Sequence, residues 1–130
     1  RVFSSGAGEL LYLESGDKQA ANDCLVQAIR VDPRDAWSWV LLGNIYAKHE
    51  DNLAKGEKFY RRAFELDPHD AILLTNYGAL MLETGNSEQA TEFFERAIEA
   101  NPDYPNSRYA LAVCRRDKLF HNRNRHLTAD

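Results

Sequence analysis

This chain of 130 residues is poor in the residue types that carry most protein chemistry. It has two cysteines, Cys24 and Cys114, which stand far apart in sequence. They read as small buried or half-buried thiols, which suits a reducing compartment. Neither has a histidine close by in sequence, and a nucleophile needs an adjacent base. The four histidines are His49, His69, His121 and His126. The first two fall in a turn and just after a proline. The last two flank Asn122-Arg123-Asn124-Arg125, where arginine charge would oppose a cation and no cysteine or carboxylate ligand is near. Gly6-Ala7-Gly8 has neither a preceding strand nor a following Gly-Lys-Ser/Thr, so it makes no phosphate cradle. No apolar run approaches the ~18 residues of a membrane span, and no signal peptide is legible. The expectation is a cytoplasmic chain with no catalytic residues, no metal and no cofactor.

Charge of both signs is present, but it is unevenly placed. The net charge is −4, yet residues 115–126 hold Arg115, Arg116, Lys118, Arg123 and Arg125 against Asp117 alone. The body is therefore more acidic than the whole. An acidic body argues against a nucleic-acid platform, which needs a broad basic face. The basic end, residues 121–130, is polar and without periodicity, so it is expected to be a disordered, solvated tail. Membrane anchoring would need an apolar signal beside the cations, and only Leu127 is there.

What the chain has is a period. Alanine recurs at Ala28, Ala63 and Ala97, and proline at Pro33, Pro68 and Pro102, with spacings of 35 and then 34 in both series. Each proline follows an acid or amide: Asp32, Asp67 or Asn101. A small residue recurs at Ala21, Gly56 and Ala90, and a large one at Leu25, Tyr60 and Phe94. Glycine recurs at Gly43 and Gly78, with Ala112 following 34 later. Such self-similarity marks stacked units, none of which buries its apolar face alone. Trp39, Leu42, Ile45 and Tyr46 have helical spacing. Trp37, Val40 and Leu41 lie on the opposite stripe, so that helix is packed on both sides or packed on one and used on the other. Asn86 or Ser87 can cap the helix that carries Phe93, Phe94, Ala97 and Ile98, and Pro102 ends it. Gly43 and Gly78 let a neighbouring helix approach closely. Gly16 and Gly85 sit at turns that call for a left-handed residue. The second unit has one residue more than its neighbours, expected in the turn His49-Glu50-Asp51-Asn52.

These residues resemble the tetratricopeptide repeat, whose pattern is an aromatic, Leu-Gly and Tyr on a first helix, then Ala, an aromatic, Ala and Pro on and after a second. Unit 36–70 reads Trp39, Leu42-Gly43, Tyr46, Gly56, Tyr60, Ala63 and Pro68. Unit 71–104 reads Leu74, Tyr77-Gly78, Met81, Ala90, Phe94, Ala97 and Pro102. Unit 2–35 keeps Tyr12, Gly16, Ala21, Leu25, Ala28 and Pro33, with a degenerate opening at Gly8-Glu9. The resemblance implies an all-α fold: a right-handed α-solenoid of antiparallel helix pairs, three repeats and a capping helix over 105–120, seven helices in all.

The resemblance also implies a concave groove, lined by the first helices, that takes a partner segment. By register the groove would receive Phe3, Leu10 and Leu13, then Trp37, Val40, Asn44 and Lys48. From the third unit come Ile72, Thr75, Asn76, Ala79 and Leu82, and from the last helix Tyr109, Val113 and Arg116. Trp37, set away from Trp39, is the expected anchor, and Asn44 and Asn76 the expected backbone readers. Family members that hold an acidic chaperone tail pair two asparagines with cations. Asn44 and Asn76 match, but Val40, Asn106 and Ala110 stand where cations are expected. The expected function is a non-catalytic adaptor or scaffold binding a protein or peptide segment. The alternatives are a substrate-recruiting part of a larger enzyme, suggested by a chain that starts at Arg1, and a module that self-associates through its solenoid ends.

Overall fold

The repeated alanines and prolines act together at helix ends. In the computed structural model, which describes residues 18–49 and 52–128, the carbonyls of Ala28, Ala63 and Ala97 accept the amides of Asp32, Asp67 and Asn101 at 2.9, 2.8 and 3.0 Å. Each closes the last turn of a helix. The proline that follows has no amide to continue the ladder and holds the residue before it extended. Asp67 and Asn101 are indeed extended.

Six α-helices and one π-helical turn result, and no strand occurs among the described residues: α1 (Lys18–Val31), α2 (Ala36–Asn44), a π segment (Ile45–His49), α3 (Leu53–Leu66), α4 (Ala71–Glu83), α5 (Ser87–Ala100) and α6 (Pro105–Thr128). The seventh expected helix, with Phe3, Leu10, Leu13, Tyr12 and Gly16, lies outside the described residues. Helix starts are capped from the side chain, as Asn and Asp do best. Asn52 Oδ1 accepts the Lys55 amide at 3.2 Å, and Asp70 Oδ1 accepts those of Ile72 and Leu73 at 2.9 and 3.2 Å. Asn86, rather than Ser87, caps α5. Gly85 has φ +87° at the turn before it, as the sequence predicted.

Residues 1–68 and 69–130 form two compact units. In the first, α1 packs on α2 and α2 on α3. Ala21, Leu25, Leu41, Leu42 and Ile45 form the core, with Val26, Ile29, Trp37, Tyr46 and Phe59 against it. In the second, α4 packs on α5 and both pack on α6. Leu74, Tyr77, Phe94, Ala97, Leu111 and Cys114 are buried there. Both glycines expected at close approaches are at them. A Cβ on Gly43 would strike the Tyr60 ring, and one on Gly78 would lie 2.6 Å from Phe94 Cε1.

Two expectations fail. The extra residue of the second unit is not confined to the turn. It widens the end of the first helix into the π segment, where one added residue is taken up by i→i+5 bonding. The last helix does not stop at Phe120 but runs to Thr128. After Pro105 there is neither proline nor glycine to end it.

Candidate protein-binding surface

In the second unit, the side of α4 expected to meet a partner is uneven. Ile72, Ala79 and Leu82 are half-buried and keep part of their apolar surface in water. Asn76 is only 9% exposed. Thr75 is buried, and its hydroxyl donates to the Ala71 carbonyl at 2.7 Å or shares a 2.7 Å bond with Ser107 Oγ, itself fully buried on α6. Thr75 is thus a tie between α4 and α6, which corrects its assignment as a ligand-facing residue. On α6, Tyr109 is 74% exposed, Val113 half-buried and Arg116 exposed. Ile72, Ala79 and Leu82 on α4, with Tyr109 and Val113 on α6, are the expected groove residues of this unit that keep surface in water. Cys114, deeper on α6, lies 3.3 Å from Thr91 Oγ1 and ties α6 to α5.

The first unit departs further from expectation. Val40 is 0% exposed and has no surface with which to meet a partner. Trp37 is half-buried and packs on the core formed by α1 and α2. It supports the fold while keeping part of its surface in water. The core it packs on joins Ala21 and Leu25 of α1 to Leu41, Leu42 and Ile45. Asn44 Oδ1 accepts the Tyr60 hydroxyl at 2.5 Å, so its carbonyl serves the α2–α3 contact. Lys48 is exposed, and partial desolvation holds its ammonium below the ordinary lysine pKa. Cys24 is buried, which pushes its thiol pKa up and keeps it an unreactive thiol at neutral pH.

One feature of this unit escaped the sequence. An open cleft of about 410 Å³ lies between α2 and α3, lined by Trp39, Asn52, Ala54, Lys55, Lys58 and Phe59. The repeat pattern assigns Trp39 to packing, yet it is only half-buried. Its ring is tilted against Phe59 at 5.9 Å, and its indole N–H donates to the Pro33 carbonyl at 2.9 Å. The legible signal was the helical spacing of Lys55, Lys58 and Arg62 along α3.

The repeat geometry has a known relative. A tetratricopeptide repeat family model matches residues 34–103. The chain belongs to the tetratricopeptide repeat family. A probable UDP-N-acetylglucosamine–peptide N-acetylglucosaminyltransferase, SPINDLY, of Hordeum vulgare is 32% identical over 115 residues, which are 83% of this chain but 12% of that protein. The chain therefore spans about an eighth of that relative's length. The first tetratricopeptide domain of human RPAP3 superposes with a TM-score of 0.80 at 18% identity, covering 92% of both chains. The first such domain of Spaghetti (RPAP3), solved bound to the HSP90 peptide SRMEEVD, gives 0.80 at 19%, covering 88% of this chain and 92% of that one. These structures carry the all-α repeat fold over to this chain. Among the described residues no group of three or more His, Cys, Asp or Glu is placed to hold a metal, and no helix is long and apolar enough to cross a membrane.

Proposed function

We propose that the chain is a non-catalytic protein-interaction module, an adaptor or scaffold, that holds a partner segment against α4 and α6. The observation that carries this reading is the mixture on those helices. Ile72, Ala79 and Leu82 keep apolar surface in water while fixed by their buried neighbours, and Tyr109 stands 74% exposed on α6, which the Thr75–Ser107 bond joins to α4. Tyrosine is a favoured anchor because it brings area, rigidity and a hydroxyl together. The likeness to a repeat domain bound to a peptide supports the same reading. A short linear segment, extended or helical, is the occupant such a face takes, in a cytoplasmic setting.

The test is a peptide-display selection on the chain, followed by titration of the selected peptides against Tyr109→Ala and Leu82→Ser. Affinity should fall by about tenfold for an anchor residue, with the helical circular-dichroism signal unchanged. Selected peptides whose binding ignores both substitutions would sink the assignment. A second reading is favoured by one observation. The similarity to the Hordeum protein, named as a glycosyltransferase, covers 12% of its length, so this chain corresponds to a repeat segment within a far longer protein. In that setting the same face would recruit a substrate protein to a catalytic domain outside this chain.

A further inference from the structure

We infer that the cleft beside Trp39 is a second docking site, for an acidic protein segment that carries an aromatic side chain. Both walls of the cleft are fixed. Trp39 is pinned by its bond to the Pro33 carbonyl, and Phe59 stacks on Tyr46 at 5.5 Å with 18° between the rings. A volume of about 410 Å³ falls in the roughly 300–1,000 Å³ range of ligand clefts and leaves room for a third ring against the cleft side of these two, which touch each other. The rim is cationic. Lys55 Nζ sits 4.3 Å from the Tyr46 ring centre and Arg62 Cζ 5.9 Å from that of Trp39, and Lys58 lines the cleft itself. Among the described residues no carboxylate pairs with any of the three. Ring faces hold two of these cations in place, leaving their charge for an incoming carboxylate.

The third unit supplies an internal comparison. On the same scaffold, Leu74 stands for Trp39, Gln89 for Lys55 and Glu92 for Lys58, and Leu74 and Phe93 are buried. Helix α3 carries Lys55, Lys58, Arg61 and Arg62 against Glu57 and Glu65, whereas α5 carries Glu88, Glu92, Glu95 and Glu99 against Arg96. The cationic, aromatic lining of the cleft is thus not repeated in the third unit, in a chain whose net charge is −4. Its complement is a local cluster of carboxylates around a ring. A nucleic-acid strand would stack on the same rings, but its continuous phosphates would run off this short rim onto an acidic body.

The probe is a short synthetic peptide with one phenylalanine flanked by glutamates, titrated while the Trp39 indole N–H resonance is followed, assigned with Trp39→Phe. The resonance should shift. Lys55→Glu with Lys58→Glu should weaken binding by about tenfold or more, and Lys58→Gln alone should weaken it less. Peptides with Phe replaced by Ser, or Glu by Gln, should lose binding as well. Tyr109→Ala should leave it intact, which separates this cleft from the face on α4 and α6. No shift with the parent peptide, or unchanged affinity in the double variant with a native helical signal, would overturn the proposal. So would an oligothymidylate that displaces the peptide.

Discussion

Gly56 stands where the equivalent positions hold Ala21 and Ala90. Alanine is the better helix former by roughly 1 kcal/mol, so an isolated α3 would gain from Gly56→Ala. In the fold, a Cβ there would lie 2.7 Å from Ala47 Cβ and 3.0 Å from its backbone nitrogen. Ala47 belongs to the π segment, whose widened turn is pressed against α3. Backbone yields less readily than the end of a side chain. Gly56→Ala is therefore expected to destabilise by about 1–3 kcal/mol through overpacking, whereas Ala90→Gly should cost about 1 kcal/mol from propensity alone. Thermal melts of the two variants check this, and a stabilised Gly56→Ala would show that the π segment can give way. Gly78→Leu, which drives a branched side chain into Phe94, should cost more than ~1 kcal/mol. At this scale the sequence was legible wherever a position repeats. Gly43, Gly78, Tyr60 and Phe94 could be placed in close contact from spacing alone. Val40 and Thr75 could not. Their register matches that of exposed residues, and only the packing of neighbouring helices buries them.

Helices report on a different kind of information. Their ends were legible because each is marked by a residue with a mechanical effect: proline after α1, α3 and α5, and Asn or Asp before α3, α4 and α5. The π segment was not, since one extra residue fits equally well in a turn or in a widened helix, and composition does not distinguish them. The reach of α6 is not legible from polarity, which a solvated tail and a solvated helix share, although nothing in residues 106–128 breaks a helix. What holds α6 to its unit is in part polar: the buried Thr75–Ser107 pair and the Cys114–Thr91 contact. Ser107→Ala leaves the Thr75 hydroxyl its bond to the Ala71 carbonyl, so the loss should be close to one hydrogen bond, about 1 kcal/mol. Amide exchange should quicken in α6 more than in α5, as expected if the element opens locally. Uniform acceleration across the unit would mean that the pair stabilises the whole unit and not the docking of α6. Leu119 and Phe120, 70% and 61% exposed on α6, offer the end-on contact that self-association would use. Sedimentation at rising concentration decides whether they do.

At the scale of the molecule, the charge pattern restricts what a tetratricopeptide module of this kind accepts. The chain is acidic overall, and its cations are gathered on α3 and along α6. The family resemblance would put the cations that hold a free C-terminal carboxylate at the positions of Val40, Asn106 and Ala110. Val40 is buried and uncharged, Asn106 spends its amide on the Tyr104 hydroxyl at 3.0 Å, and Ala110 has no polar group to offer. None of these residues can give a carboxylate a charged hydrogen bond in return for its lost hydration, and charge-assisted bonds are the strong ones. A chaperone-type peptide ending in an acidic residue, and lacking an aromatic ring for the Trp39 cleft, is thus expected to bind weakly. Amidating its terminus should not weaken whatever binding remains, because the terminal charge has no partner to lose. Titration of the free-acid and amidated forms at low and high salt checks this. Tight, salt-sensitive binding that amidation abolishes would mean that cations reach the carboxylate from elsewhere in the chain, with Lys48 the first to replace.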